Sequence, residues 1–317
     1  MGTTMKSLID QHGRKIRKLR LSLTDKCNLR CHYCMPVDAT FMDEDKNLSP
    51  DDYFEIVKEL CSYGLQELRL TGGEPLMRKS FDEIAYKLGT LPLKKIGLTT
   101  NGIFLDKYLT VLKETGIHHL NISLDSLDEA NFKKITHGNQ LKRILKNIEE
   151  AQKLGLQIKI NVVAMKGIND HEFFDFVEYS AKTGIEVRFL EIMRIGFALE
   201  KQNDQFISAQ EMMNMFKTKY ELEKIQMQLD STSFNYRLSN GAHIGFIASE
   251  SQAFCGHCSR WRLSADGVMR ACLLKDDGIS IKNTTEIERD NIYRTLLGMK
   301  PFMRPAEVTH QMNAIGG

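Results

Sequence analysis

Six short strands alternate with helices between residues 20 and 193, and that alternation constrains the chain more than any other feature. The strand candidates are RLSLT (20–24), ELRLTG (67–72), IGLTTN (96–101), HLNISLD (119–125), IKINVVA (158–164) and VRFLEIM (187–193). Helical stretches such as DDYFEIVKELCSYG and QLKRILKNIEEAQKLG separate them. Several close on a glycine suited to a helix C-cap: Gly64, Gly89, Gly116, Gly155 and Gly184. Serial βα units imply a parallel sheet with right-handed crossovers. Six units fall short of the eight that close a barrel, so something must cover the open side. The expected fold class is therefore α/β: an incomplete (β/α)6 TIM-type barrel with a C-terminal extension. Beyond residue 200 come a helix (SAQEMMNMFKTKY), strand-like pieces (FNYRLS and AHIGFIAS) and a hairpin turn at Asp266–Gly267. A boundary is expected near residue 225, dividing the chain into 1–225 and 226–317, with the second part packed on the first.

The two faces of these strands differ. One parity is apolar: Leu21, Leu23, Leu68, Leu70, Ile96, Leu98, Leu120, Ile122, Leu124, Ile158 and Ile160. The other holds Arg20, Ser22, Thr24, Arg69, Thr71, Thr99, Asn101, Asn121, Ser123, Asp125, Lys159, Asn161 and Arg188. In a parallel barrel the apolar face meets the helices and the other lines the lumen. A purely structural lumen would be apolar as well, so this one is polar and carries fixed positive charge. An antiparallel sheet with one wet face would alternate in the same way, but the intervening helices argue against it. Cations enclosed without partners are costly, so an anionic ligand is expected among them.

Seven cysteines are present, and six fall into two sets of three. Cys27, Cys31 and Cys34 lie in CNLRCHYCMP, directly after the first strand, at the end where barrels keep their active sites. Cys255, Cys258 and Cys272 form the second set. An odd count without an export signal argues against a disulfide framework. Three thiolates can hold three irons of a [4Fe–4S] cube and leave the fourth iron open to another ligand. A zinc site borrowing a distant ligand is the alternative, with His257 or His243 completing the second set. Cys61 reads as a small buried apolar residue. Within SRWRLSADG, Arg260 and Arg262 share one face of an extended segment, as a charged surface strand or as anion contacts. The turn Thr71-Gly72-Gly73-Glu74-Pro75 ends the second strand, where paired glycines permit a tight turn or a close backbone approach. The chain ends NAIGG, which suits a frayed terminus or a segment threaded into a narrow space.

Composition excludes some classes. A net charge of +2 and a pI near 8.1 give no basis for a nucleic-acid groove. No run approaches the ~18 apolar residues of a membrane span. Residues 1–15 lack a signal-peptide core, so a cytoplasmic protein is expected.

C-x3-C-x2-C with Tyr33 just before the last cysteine, together with the GGEP turn, resembles the radical S-adenosylmethionine enzymes. LTTNG, NISLD, CGHCSRWRLSADGVMRACL and the terminal IGG narrow the resemblance to the GTP cyclases that open molybdenum cofactor biosynthesis. That resemblance runs through nearly the whole chain. It implies two [4Fe–4S] clusters, held by Cys27, Cys31 and Cys34 and by Cys255, Cys258 and Cys272. S-adenosyl-L-methionine would bind at the first, near Tyr33, Gly73, Ser123 and Met193. GTP would bind at the second, through Arg20, Arg69, Thr99, Lys159, Arg260 and Arg262. Arg188 is similar to a residue that assists reduction of the cyclised radical, and Gly316 and Gly317 would reach into the channel and support the chemistry. The implied partners are GTP, a flavodoxin- or ferredoxin-type electron donor and the downstream cyclic pyranopterin monophosphate synthase, and a homodimer is compatible with them. Trp261 stands where the family often has a small residue, so altered packing at the guanine end is expected. Residues 194–206 match the family poorly. A peptide-modifying radical enzyme would usually carry more C-terminal cysteines, whereas an electron carrier or zinc-stapled module would need neither the polar lumen nor the GGEP turn.

Overall fold

The computed structural model describes residues 7–305, 309 and 311–315. Six parallel strands run side by side in chain order: β1 (Lys18–Ser22), β2 (Glu67–Thr71), β3 (Lys95–Thr100), β4 (His119–Ser123), β5 (Gln157–Ala164) and β6 (Glu186–Glu191). Their connections carry α1 (Pro50–Ser62), α2 (Phe81–Gly89), α3 (Leu109–Glu114), α4 (Glu129–Thr136), α5 (Leu141–Lys153) and α6 (Phe173–Thr183). Next come α7 (Leu199–Gln205), α8 (Ala209–Lys217), β7 (Leu222–Ile225), β8 (Phe234–Leu238) and β9 (His243–Ile247). The chain then forms β10 (Arg260–Leu263), β11 (Val268–Arg270), β12 (Ile279–Ser280), α9 (Glu286–Met299) and α10 (Met312–Ile315).

An open partial barrel leaves two sheet edges with unpaired backbone groups. The C-terminal region satisfies both. β9 pairs parallel with β6 and β10 pairs parallel with β1, giving a 12-stranded sheet ordered β12-β11-β10-β1-β2-β3-β4-β5-β6-β9-β8-β7. The hairpin between β10 and β11 turns at Gly267, whose φ of +87° only glycine adopts readily. Residue 225 ends β7, inside this continuous sheet.

Local chemistry explains where the helices begin. Pro50 opens α1, and Ser49 and Asp52 cap it reciprocally. Ser208 with Glu211 and Thr285 with Glu288 repeat that box at α8 and α9. The helix α4 lies in a stretch that the period of the sequence does not mark; Asp128 caps its start and His137 ends it in the left-handed region. Of the five expected C-cap glycines, Gly64, Gly116, Gly155 and Gly184 do have positive φ. Gly89 does not. It is the last residue of α2, and a Cβ there would lie 2.7 Å from the Thr115 carbonyl, so helix packing is what requires glycine.

The apolar parity faces the helices as expected. Leu21, Leu70, Leu98, Leu120, Ile122 and Ile160 are fully buried beneath them. Trp261 belongs to this layer. It is register partner to Leu19 and packs on Tyr293 of α9, 5.9 Å between ring centres, on the face opposite its neighbours Arg260 and Arg262. Cys61, half-buried on α1, packs against the same core. No helix among the described residues is long and apolar enough to cross a membrane.

Candidate active site

Strand register brings the polar parity together in rows. Arg262, Arg20 and Arg69 are consecutive partners across β10, β1 and β2, followed by Gly97 and His119 on β3 and β4. Thr99, Asn121, Lys159 and Glu186 form the next row, and Ser123, Asn161 and Arg188 another. Because β10 is register partner to β1, Arg260 and Arg262 share the face that carries Arg20.

These guanidiniums press on one another. Burial pulls Arg20 well below its ordinary range, and Arg262, Arg260 and Arg69 add to the pull. Burial likewise brings Arg69 and Arg262 down to about 10, with Arg188 adding to the first and Arg260 to the second. Arg69 is seated by geometry: it donates to the carbonyls of Leu98 (3.1 Å) and His119 (2.9 Å). Its guanidinium occupies the space of the missing Gly97 side chain, since a Cβ there would lie 2.6 Å from Cζ of Arg69. Two further lumen cations share a carboxylate. Glu186 accepts from Lys159 at 2.7 Å and from Arg188 at 2.5 Å. His119, on the same face, is pulled down to about 4 by burial and then by Lys95 and Arg69.

At the C-terminal end of β1 the first cysteine loop is tied to its neighbours. Cys34 and Met35 donate backbone N–H groups to the Cys31 carbonyl. The Tyr33 hydroxyl donates to Asp125 at 2.7 Å, and the other Asp125 oxygen accepts from Val163 N–H at 2.8 Å. Asp125 is itself buried and raised to about 6. The GGEP turn docks on this loop with little tolerance. A Cβ on Gly73 would lie 2.6 Å and 2.5 Å from the carbonyl oxygens of Asp25 and Lys26. Glu74 bridges onward, accepting from Leu76 N (3.0 Å), Thr100 Oγ1 (2.7 Å) and Asn101 N (2.7 Å). Asn101 reaches back to Asn28 at 2.8 Å. Ser123 lies half-buried on the lumen face of β4. Met193, just past the C-terminal end of β6, packs against the apolar pair Ile195 and Leu274. Residues 199–205, inside the poorly matching stretch, form α7, and Gln205 meets His32 of the cysteine loop at 3.3 Å.

The second set lies at the other end of the sheet. Cys255 and Cys258 precede the N-terminal end of β10, and β11 runs antiparallel to β10 and carries Cys272 back to that same end. The cation rows lie between the two sets. All six cysteines are free thiols and partly exposed. Burial pushes Cys27 up to about 11, with Glu74 adding to the rise, and Cys34 to about 12, with Cys27 and Asp125 adding; Cys31 is raised by burial and then by Asp125, Cys34 and Cys27. Burial alone would raise Cys258 as well, yet Arg260 and Lys300 hold it down at about 6. Among the described residues, no three His, Cys, Asp or Glu side chains converge to ligate a single metal ion. Each set offers the three thiolates that a cubane takes when its fourth iron is left to another ligand. His243, an alternative zinc ligand for the second set, sits on β9 at the opposite flank of the sheet. Gly316 and Gly317 lie outside the described residues. Met312 just before them packs against the cluster of side chains that includes Leu274 and Cys272.

Three participants escaped the sequence reading: Glu186, His119 and Lys300. The first two carry the lumen parity: His119 is the first residue of the fourth strand candidate, and Glu186 lies one residue before the sixth. Lys300 has no such signal, because it follows α9 and meets Cys258 only through the tertiary fold.

An open parallel sheet with a three-cysteine loop after its first strand defines the radical S-adenosylmethionine class, and residues 21–180 match the model of the Radical SAM superfamily. Residues 185–301 match the model described as Molybdenum Cofactor Synthesis C. A GTP 3′,8-cyclase of Synechocystis sp. is 58% identical over 312 residues, covering 98% of this chain and 95% of the relative. One of Clostridium botulinum is 39% identical over 280 residues, covering 87% of each. The chain belongs to the GTP 3′,8-cyclase family of radical SAM proteins. Streptococcus suis SuiB bound to S-adenosylmethionine shares the fold at a TM-score of 0.65 and 12% identity, covering 90% of this chain and 69% of that one.

Proposed function

We propose that this chain is a GTP 3′,8-cyclase, a lyase that converts GTP to (8S)-3′,8-cyclo-7,8-dihydroguanosine 5′-triphosphate as the first step of molybdenum cofactor biosynthesis. The observation that carries the reading is one polar sheet face, crowded with mutually repelling cations, with a three-thiol set at each end. Such a face favours a polyanion, and the family membership supports GTP as that polyanion. Cys27, Cys31 and Cys34 would hold one [4Fe–4S] cluster and Cys255, Cys258 and Cys272 a second. When bound at these residues, the cofactors would supply the radical chemistry that joins C3′ of the ribose to C8 of guanine at the expense of the 3′ hydrogen.

The chain's own residues bind, orient and exclude water. Tyr33, Gly73, Ser123 and Met193 are the proposed S-adenosylmethionine contacts, with Asp125 fixing the Tyr33 ring. Arg20, Arg69, Thr99, Lys159, Arg260 and Arg262 are the proposed GTP contacts. Arg188, held by Glu186, assists reduction of the cyclised radical, and Gly316 and Gly317 support the chemistry from the tail. Residues 1–225 would carry the first set and 226–317 the second. A flavodoxin- or ferredoxin-type donor, hand-off to the downstream synthase, a homodimer and a cytoplasmic setting belong to the same proposal.

The test is anaerobic reconstitution with iron and sulfide, then S-adenosylmethionine, GTP and dithionite, with products read by mass spectrometry. Matching amounts of 5′-deoxyadenosine and a GTP isomer are expected, and both C27S and C255S should abolish the isomer. Formation of 5′-deoxyadenosine with GTP untouched would reject the substrate, and neither product from iron-loaded protein would reject the enzyme.

A further inference from the structure

Lys300 is almost fully buried directly after α9, and its ammonium has a complete set of acceptors. It donates to Cys258 Sγ at 3.4 Å, to the Arg260 carbonyl at 2.7 Å and to the Ala271 carbonyl at 3.0 Å. A lysine ammonium has three N–H donors and no acceptor, so three acceptors are matched in full. A neutral amine would leave a lone pair facing one of them. Two of the acceptors belong to the backbone that flanks the second cysteine set: Arg260 follows Cys258 and Ala271 precedes Cys272.

The placement of Lys300 is itself braced. Arg14 donates to the carbonyls of Cys255 (2.7 Å), Lys300 (3.1 Å) and Pro301 (2.8 Å). Asp10 pairs with Arg14 at 2.6 Å, and both side chains are buried. An N-terminal turn thus clamps the lysine's backbone to the second set. A strut between carbonyls needs no contact with sulfur, yet the third donor meets the Cys258 sulfur.

We propose that Lys300 is a positioning residue of the second cluster, one that raises its reduction potential by donating N–H to the Cys258 sulfur. The inference rests on reading Cys255, Cys258 and Cys272 as cluster ligands. Hydrogen bonds to the sulfurs and nearby positive charge favour the electron-richer state of an iron–sulfur cluster.

The experiment uses the full chain carrying C27S/C31S/C34S, reconstituted anaerobically, so that only the second set can load. Iron and sulfide content and an EPR-monitored redox titration are read for this parent and for K300M and K300R. A lower potential in K300M, with K300R returning toward the parent, is the expected result. A loaded K300M at the parental potential overturns the proposal and leaves Lys300 a strut. Should K300M fail to load, K300Q takes its place, with the same two readings. A parent that binds no cluster rejects the assignment of the second set, a failure distinct from that of Lys300.

Discussion

Charge on the lumen face acts residue by residue. Glu186 is the carboxylate between Lys159 and Arg188, and both cations lie in a face already rich in guanidinium. E186Q removes the shared acceptor and should cost about 1–2 kcal/mol of stability, given that the pair is only partly buried. A triphosphate can replace that lost charge. Thermal melts should therefore show a larger GTP-induced rise for E186Q than for the parent, and equal rises would show that the triphosphate does not meet these two cations. His119 offers a pH test. Its folded value of about 4 lies below the ordinary 6.5, so the unfolded chain takes up the proton first. The stability linked to neutral His119 is present above pH 6.5 and lost as pH falls through 4. Urea midpoints of H119Q should consequently fall less than those of the parent between pH 7 and 4.5, and parallel declines would contradict the assignment.

At the scale of elements, two glycines hold loops and strands in contact. Gly73 presses the GGEP turn onto the carbonyls of Asp25 and Lys26, and backbone atoms cannot rotate aside as a side chain can. G73A should lift the turn from the first cysteine loop, with iron retained at the second set but reduced at the first. Iron analysis in the C255S/C258S/C272S background reads this directly, and undiminished loading would refute the docking. Gly97 acts between strands, since its missing side chain is the seat of the Arg69 guanidinium. G97A should displace Arg69 and weaken GTP binding roughly tenfold, the scale expected when one charge-assisted contact is lost. Calorimetry on iron-loaded protein measures that loss, and unchanged affinity would remove Arg69 from the proposed GTP contacts. Much of this was legible in the sequence. GGEP and the cysteine spacing marked the loops, and period-two alternation marked the face. The Gly97 seat was not legible, because it depends on which residue of β2 lies opposite it.

For the whole molecule, the C-terminal region is part of the sheet and not a separable cap. It pairs with β1 through β10 and with β6 through β9. A chain ending at residue 225 would leave both edges open, and it should be insoluble or self-associated by size-exclusion chromatography. A monodisperse, folded fragment would show the partial barrel to be self-sufficient.

The sequence by itself determined the sheet of six βα units, the polar and apolar faces and the two cysteine sets, because each is written in local spacing: period two, helix length, or residues within one loop. Only the tertiary structure decided that the sets lie at opposite ends, that Arg262 stands beside Arg20, that Trp261 turns away from them, and that Glu186 and Lys300 take their partners. Those pairings follow from strand register and packing between segments far apart in the chain, where no local periodicity carries a signal.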